Sequence, residues 1–204
     1  MSQGALFIVS APSGAGKTSL VKALRTQLDG LAISVSHTTR AQRPGEEHGR
    51  DYYFVSREAF AGMVSAGEFL EHAQVFDHCY GTARATVEAA LAQGQDVVLE
   101  IDWQGARQIR ALKPDCLSIF ILPPSRRALE IRLSGRGQDG PDIIARRMAD
   151  AISEMSHYGE YDYVVINDDF EQALNDLRAI VAAHRLKTGR QAAQSRELIS
   201  SLMD

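Results

Sequence analysis

This sequence predicts an α/β fold with a parallel sheet flanked by helices, and three observations predict it. An apolar run, Ala5-Leu6-Phe7-Ile8-Val9, leads straight into a glycine loop and then a helical pattern. Strand-like and helix-like segments alternate down most of the chain, as they do when parallel strands are joined by helical crossovers. The polar and acidic residues fall where strands end: the glycine loop, Glu100 and Asp102, and Asn167-Asp168-Asp169. Open parallel sheets bind ligands at that edge.

The glycine loop organises the rest. It reads Ser10-Ala11-Pro12-Ser13-Gly14-Ala15-Gly16-Lys17-Thr18, followed by a helix with Leu20, Val21 and Leu24 on one face. Strand, loop, Lys-Thr and helix is the context of a phosphate-binding P-loop. Gly14 and Gly16 permit backbone shapes that bring N–H groups to phosphate oxygens. The helix N-terminus adds unpaired donors and a partial positive charge. Lys17 suits the outer phosphates and the Thr18 hydroxyl suits Mg²⁺. The usual pattern opens on glycine, whereas Ala11 stands there, so the first turn of this loop is expected to need no positive φ or to carry mild strain.

Composition bounds the rest. A chain of 204 residues suffices for one α/β domain with a sizeable core. A 45% apolar and 24% charged content is that of an ordinary globule, and a net charge of −4 argues against a polybasic nucleic-acid binder. Two cysteines, Cys79 and Cys116, give no disulfide framework and fit a reduced cytoplasm. The N-terminus does not read as a signal peptide, and no apolar run is long enough to predict a membrane span.

Taken in order, the first helix is expected to run to about residue 28 and stop at Asp29-Gly30. A strand is predicted over 31–36, then a long polar loop over 37–51 with Arg40, Arg43 and Arg50. A strand over 52–55 precedes a short helix capped by Ser56. Residues 68–76 read as a strand with Phe69, Glu71 and Ala73 on one face and Leu70, His72 and Gln74 on the other. A turn at Asp77-His78 and a helix to about residue 93 complete an inserted unit, read as small antiparallel strands and helices. The parallel theme resumes with a strand over 96–102, a helix over 103–112 and a strand over 116–122. Ser125 caps a helix to 133, a glycine-rich break spans 134–141, and a longer helix covers 142–158. The last strand is 163–166 and the closing helix 170–186, with Leu174, Leu177, Ile180 and Val181 inward. The tail carries Leu198, Ile199 and Leu202 in a weak helical pattern.

Three features bear on the phosphate chemistry. The run Ser36-His37-Thr38-Thr39-Arg40-Ala41-Gln42-Arg43 gathers hydroxyls and two guanidiniums, which bind phosphate as planar forks, although a solvated charged loop would read the same way. Glu71, Glu100 and Asp102 offer carboxylates; one facing the N1–H and amino edge of guanine would select it over adenine. Taken alone, Glu71 reads more simply as an ordinary edge-facing acid. Arg136 lies in the glycine-rich break and Arg132 and Arg147 on the helices either side, as in a cationic lid, or the three pair with Glu130, Asp139 and Asp142.

The runs SAPSGAGKTS, VSHTTRAQRPGEEHGRDYYFV, EFLEHAQVFDHCYGT, LEIDWQGARQIR, ILPPS, GRGQD, ARRM and VINDD together resemble the bacterial guanylate kinases over about 5–185. The resemblance implies a P-loop NTPase-type core (1–35, 91–124 and 153–204), a GMP-binding insertion (36–90) and a helical lid (125–152). It implies that Ala11, Pro12, Ser13, Gly14, Ala15, Gly16, Lys17 and Thr18, with Asn167 and Asp169, bind ATP. It assigns Ser36, Glu71, Thr82 and Glu100 to guanine, and Arg40, Arg43, Tyr52 and Tyr80 to the GMP phosphate, with Glu46 and Asp102 nearby. Lys17, Arg40, Arg43, Arg132, Arg136 and Arg147 would supply catalytic charge, and Thr18 with Asp102, the latter through water, would serve Mg²⁺. Glu100 replaces an aspartate common in the family, one methylene longer. The implied partners are ATP and GMP, with no nucleic acid or membrane; self-association stays open, and the implied location is cytoplasmic. Two alternatives share the motifs: a protein-binding module of the same fold, and a nucleoside monophosphate kinase of another base specificity.

Overall fold

A computed structural model describes residues 3–75, 77–135 and 141–204. The predicted Arg136 and most of the glycine-rich break lie outside the described residues.

The central sheet has five strands in the order β2-β7-β1-β8-β9, all parallel. They are β1 (Leu6–Ser10), β2 (Leu31–Ile33), β7 (Asp96–Glu100), β8 (Leu117–Leu122) and β9 (Tyr163–Ile166). Strand β1 lies in the middle, and its five residues are all buried. Alternation along it splits the core in two. Phe7 and Val9 pack with Leu20, Val21 and Leu24 of α1 (Lys17–Gln27) and with Leu174, Leu177 and Val181 of α7 (Phe170–Arg185). Leu6 and Ile8 face Val87 and Leu91 of α3 (Arg84–Ala92) and Ala106 and Ile109 of α4 (Trp103–Leu112). A continuous apolar strand is what a sheet covered on both faces demands. Ile180, expected inward, is only partly buried against the first layer.

A second sheet, β4-β3-β6-β5, stands beyond the carboxyl ends of the central strands. It comprises β3 (His37–Thr38), β4 (Tyr53–Phe54), β5 (Phe69–Val75) and β6 (His78–Ala83), with α2 (Arg57–Ser65) capped by the Ser56 hydroxyl. Three sequence expectations change here. The strand predicted over 31–36 stops at Ile33; Ser34 donates one further bond to Val98 and the chain then leaves for the second sheet. The loop predicted over 37–51 contains β3, a polar two-residue strand without hydrophobic alternation. The unit is not wholly antiparallel, because β4 runs parallel to β3. A register shift between Phe69 and Glu71 also breaks the predicted alternation, so Leu70 is buried along with both of its neighbours.

Helix α5 (Arg126–Ser134), capped by Ser125, packs on α6 (Pro141–Met155) through Leu129, Leu133 and Ala151. The helix predicted over 142–158 thus ends at Met155, and a 3₁₀ turn follows at Tyr158–Glu160. The tail forms α8 (Thr188–Gln194) and α9 (Arg196–Ser201). Among the described residues, no helix is long and apolar enough to cross a membrane.

At the opposite edge of the sheet, Asp96 is 3% exposed and gathers three donors. It accepts from the Ala5 N–H at 2.7 Å, Arg185 at 2.8 Å and Arg190 at 2.9 Å. Removing one member of a buried charged network costs more than a surface pair, so Asp96→Ala should lose about 3 kcal/mol of stability in urea unfolding. A loss below about 0.5 kcal/mol, typical of surface changes, would mean the network contributes little.

Candidate active site

Strand β1 delivers the loop to the carboxyl edge of the sheet. Gly14 and Gly16 both adopt positive φ, 89° and 91°, and Gly16 caps α1. A Cβ at Gly16 would lie 2.5 Å from Asn167 Nδ2, and one at Gly14 would meet Leu133 and Leu129 at 3.0–3.1 Å. Shape and space therefore both require glycine. The loop residues Ala11, Pro12, Ser13, Gly14, Gly16, Lys17 and Thr18 line a cavity of about 320 Å³. Across it stand Ser36, Arg43, Tyr52, Glu71 and Tyr80 from the second sheet and its loops, with Glu100 and Asp102 at the end of β7. Residues far apart in the chain thus share one cleft.

Glu71 is 3% exposed and accepts from the Thr82 hydroxyl at 2.5 Å. Burial pushes its pKa up to about 7; the Thr82 bond opposes this, and the Asp102 charge adds to it. Its room comes from Gly105, where a Cβ would lie 2.4 Å from Glu71 Oε2. Asp102 caps α4, accepting from the Gly105 N–H at 2.9 Å and the Gln104 amide at 3.0 Å. The Thr18 hydroxyl donates to Glu100 at 3.0 Å. Tyr52 is pushed up to about 12 by burial, with Tyr80 and Glu100 adding to the effect.

Other expected residues lie outside the cavity wall. Arg40 is buried, ion-paired to Glu46 at 2.7 Å, with its guanidinium over the Tyr52 and Phe54 rings at 5.3 and 5.8 Å. Burial is the largest influence and works against its charge, but the Glu46 bond, the Glu46 charge and Tyr80 together outweigh it and hold its pKa above the ordinary value. Thr82 and Ala15 are fully buried. Asn167 is buried and donates to the Ala15 carbonyl at 2.7 Å, while Asp169 caps α7 through the Gln172 N–H. Arg132 donates to the Asn167 carbonyl at 3.0 Å and keeps a buried Nη1 without a hydrogen-bond partner. Arg147 is half-buried on α6.

Sequence reasoning missed Glu154. It comes from α6, lines the cavity, and accepts from the Ser13 N–H at 3.2 Å. No motif marks it, since its partner lies 141 positions away. Ser19, Ala73, Val75 and Ile101 complete the wall.

A glycine loop opening a helix with Lys-Thr, set against a second sheet that supplies an arginine, two tyrosines and a carboxylate, defines a P-loop enzyme that handles phosphorylated ligands. A family profile described as guanylate kinase matches residues 3–184. The chain is 62% identical over 203 residues to a guanylate kinase of Methylococcus capsulatus, covering all of both chains. It is 59% identical to one from Alkalilimnicola ehrlichii, covering 98% of each. A solved guanylate kinase from Anaplasma phagocytophilum superposes with a TM-score of 0.78 at 37% identity, over 93% of this chain and 90% of that one. The chain belongs to the guanylate kinase family.

The raised Glu71 pKa has a signed consequence. Between pH 4.5 and about 7 the folded chain holds a proton on Glu71 that the unfolded chain releases, so Glu71's contribution to stability falls as pH rises through that window. Glu71→Gln keeps an acceptor for Thr82 and never ionises. Its stability relative to the parent should therefore increase between about pH 5 and about pH 8 in urea unfolding. A difference independent of pH would contradict the shifted ionisation.

Proposed function

We infer that the chain catalyses transfer of the γ-phosphoryl group of ATP to GMP, giving ADP and GDP. One observation carries this reading: the phosphate loop with Lys17 and Thr18 shares its cleft with Arg43, Tyr52, Tyr80 and the buried Glu71. Two phosphorylated ligands can face each other there. The family supports the same reaction.

A GMP phosphate oxygen forms the new bond to the γ-phosphorus as the bond to the bridging oxygen of ADP breaks. The second pKa of a phosphate monoester is about 6, so the nucleophile is already anionic and needs no general base. The chain's task is to hold two anions in line and offset their charge. Lys17 and the loop N–H groups would take the donor phosphates. Arg43, Tyr52 and Tyr80 would take the acceptor phosphate, with Arg40 and Glu46 shaping that loop. Arg132, Arg136 and Arg147 would add charge around the transferred group. Ser36, Glu71, Thr82 and Glu100 would read guanine, the carboxylates accepting from its N–H edge. Asn167 and Asp169 would stand beside the donor base, Asn167 doing so while it holds the loop.

The donor set fits a hard divalent cation. The Thr18 hydroxyl, Glu100 at 3.0 Å from it, and Asp102 all offer oxygen, and a few oxygen ligands plus phosphates is how Mg²⁺ is held. Both Asp102 oxygens already accept from α4, which suits a contact through water. When bound, Mg²⁺ offsets charge on the β- and γ-phosphates.

An ADP-release assay across GMP, AMP, CMP, UMP and dTMP tests the reading, with turnover expected for GMP alone. Lys17→Ala should cut turnover roughly 100-fold or more while the fold survives, as removal of transition-state charge does. Glu71→Ala should narrow the GMP-over-AMP preference by roughly ten-fold or more in kcat/KM. An unchanged ratio would put base recognition elsewhere.

A further inference from the structure

Glu154 has no role in the reaction as laid out above, yet it sits inside the cleft. Its Oε2 accepts from the N–H of Ser13, in the bend that carries the loop's phosphate donors. A carboxylate therefore occupies a seat built for an anion. Lys17 attracts it, while Asp102 and Asp150, the latter one turn back on α6, repel it. Burial is the largest influence and favours its neutral form. One Asp150 oxygen is itself buried without a hydrogen-bond partner. Among the described residues, the cavity wall carries four carboxylates, Glu71, Glu100, Asp102 and Glu154, and two cations, Lys17 and Arg43. Glu71 would face the base and Glu100 and Asp102 the cation, which leaves Glu154 as the acid that no group of the bound ligands would answer.

Glu154 is also coupled to a larger body. Leu129 and Leu133 of α5 pack against Ala151, Met148 and Met155 of α6, and the same two leucines flank Gly14. The α5–α6 pair thus touches the loop twice, through apolar contact at Gly14 and through the Glu154 bond at Ser13.

We propose that Glu154 is an internal competitor for the terminal-phosphate position. The carboxylate and the γ-phosphate of ATP draw on the same Ser13 N–H and the same Lys17 charge, and two anions cannot share them. ATP binds as Glu154 withdraws, carrying the end of α6 with it. ADP, one phosphate shorter, leaves Glu154 in place. Glu154 so taxes ATP and spares ADP. The inference rests on ATP being the phosphoryl donor, as proposed above.

Calorimetric titration of the full chain with MgATP and MgADP tests it. Glu154→Gln keeps a carbonyl that can accept from Ser13 but carries no charge; Glu154→Ala removes both. In each, the ratio Kd(ADP)/Kd(ATP) should rise roughly five-fold or more, the scale of a modest coupling between sites. A purely structural role would weaken both nucleotides and leave the ratio alone. An unchanged or lowered ratio overturns the proposal. Should a variant fail to fold, the parent chain decides: MgATP should alter amide hydrogen exchange over 148–158 and MgADP should not, and equal effects overturn it. A chain that binds neither nucleotide overturns the proposed reaction and this inference with it; one that binds both with an unchanged ratio overturns the inference alone.

Discussion

The glycine loop keeps its shape because the Asn167 amide holds it. A loop that turns its N–H groups toward a ligand must send some carbonyls inward, and a buried carbonyl needs a donor. Ala15 is fully buried, and Asn167 Nδ2 reaches its carbonyl at 2.7 Å from the end of β9. Left unpaired, that carbonyl would cost about 1–3 kcal/mol. The same Nδ2 stands where a Gly16 side chain would go, so the brace and the glycine require each other. Arg132 closes the arrangement by donating to the Asn167 carbonyl. One asparagine therefore joins the last strand, α5 and the phosphate loop.

The second sheet is tied to the first along α4. Gln104 and Gln108 lie four residues apart, on one face of that helix. Gln108 exchanges two bonds with the His72 backbone, donating at 2.8 Å and accepting at 3.2 Å, and Gln104 donates to the Gln74 carbonyl at 3.4 Å. Glu71, next to the anchor point at His72, enters the gap left by Gly105. Its burial thus depends on a helix capped by Asp102, two residues past the end of the strand beside β1. Glu71 and the phosphate-loop end of the cleft share one support, and any motion of the second sheet must carry Glu71 with it.

Local features were legible in the sequence. The strand, the loop and α1 are contiguous, and their apolar spacing and glycines state the geometry directly. Ser56 and Ser125 announced their helices for the same reason. Where the determinant was distant, reading failed. Strand β3 is two polar residues, defined by pairing with β6 some forty positions on rather than by its own pattern. The register shift at Phe69–Glu71 changes which side chains are covered, and nothing in the alternation signals it. Asn167 reads as a polar residue after a strand; its role as a brace appears only when Ala15 arrives from 152 positions away. Gly105 reads as an ordinary helical glycine until Glu71 is placed against it. The family resemblance marked Glu71, Arg40 and Arg43 but not the packing that gives each its character.

Those two arginines differ more than their shared motif suggests. Glu46 organises both: Oε1 accepts from Arg40 and Oε2 from the Arg43 backbone N–H. Arg40 is thereby neutralised, and it lies over two aromatic rings, so its charge stiffens the loop. Among the described residues the Arg43 guanidinium makes no salt bridge, and it is exposed on the cavity wall. An arginine already paired gains little from a further anion, because its charge is offset and its planar fork is engaged. In the proposed reaction the acceptor phosphate would therefore meet Arg43 first, on a loop that Arg40 and Glu46 have already fixed. Spending one guanidinium on rigidity reduces the entropy the other loses when it closes on its ligand.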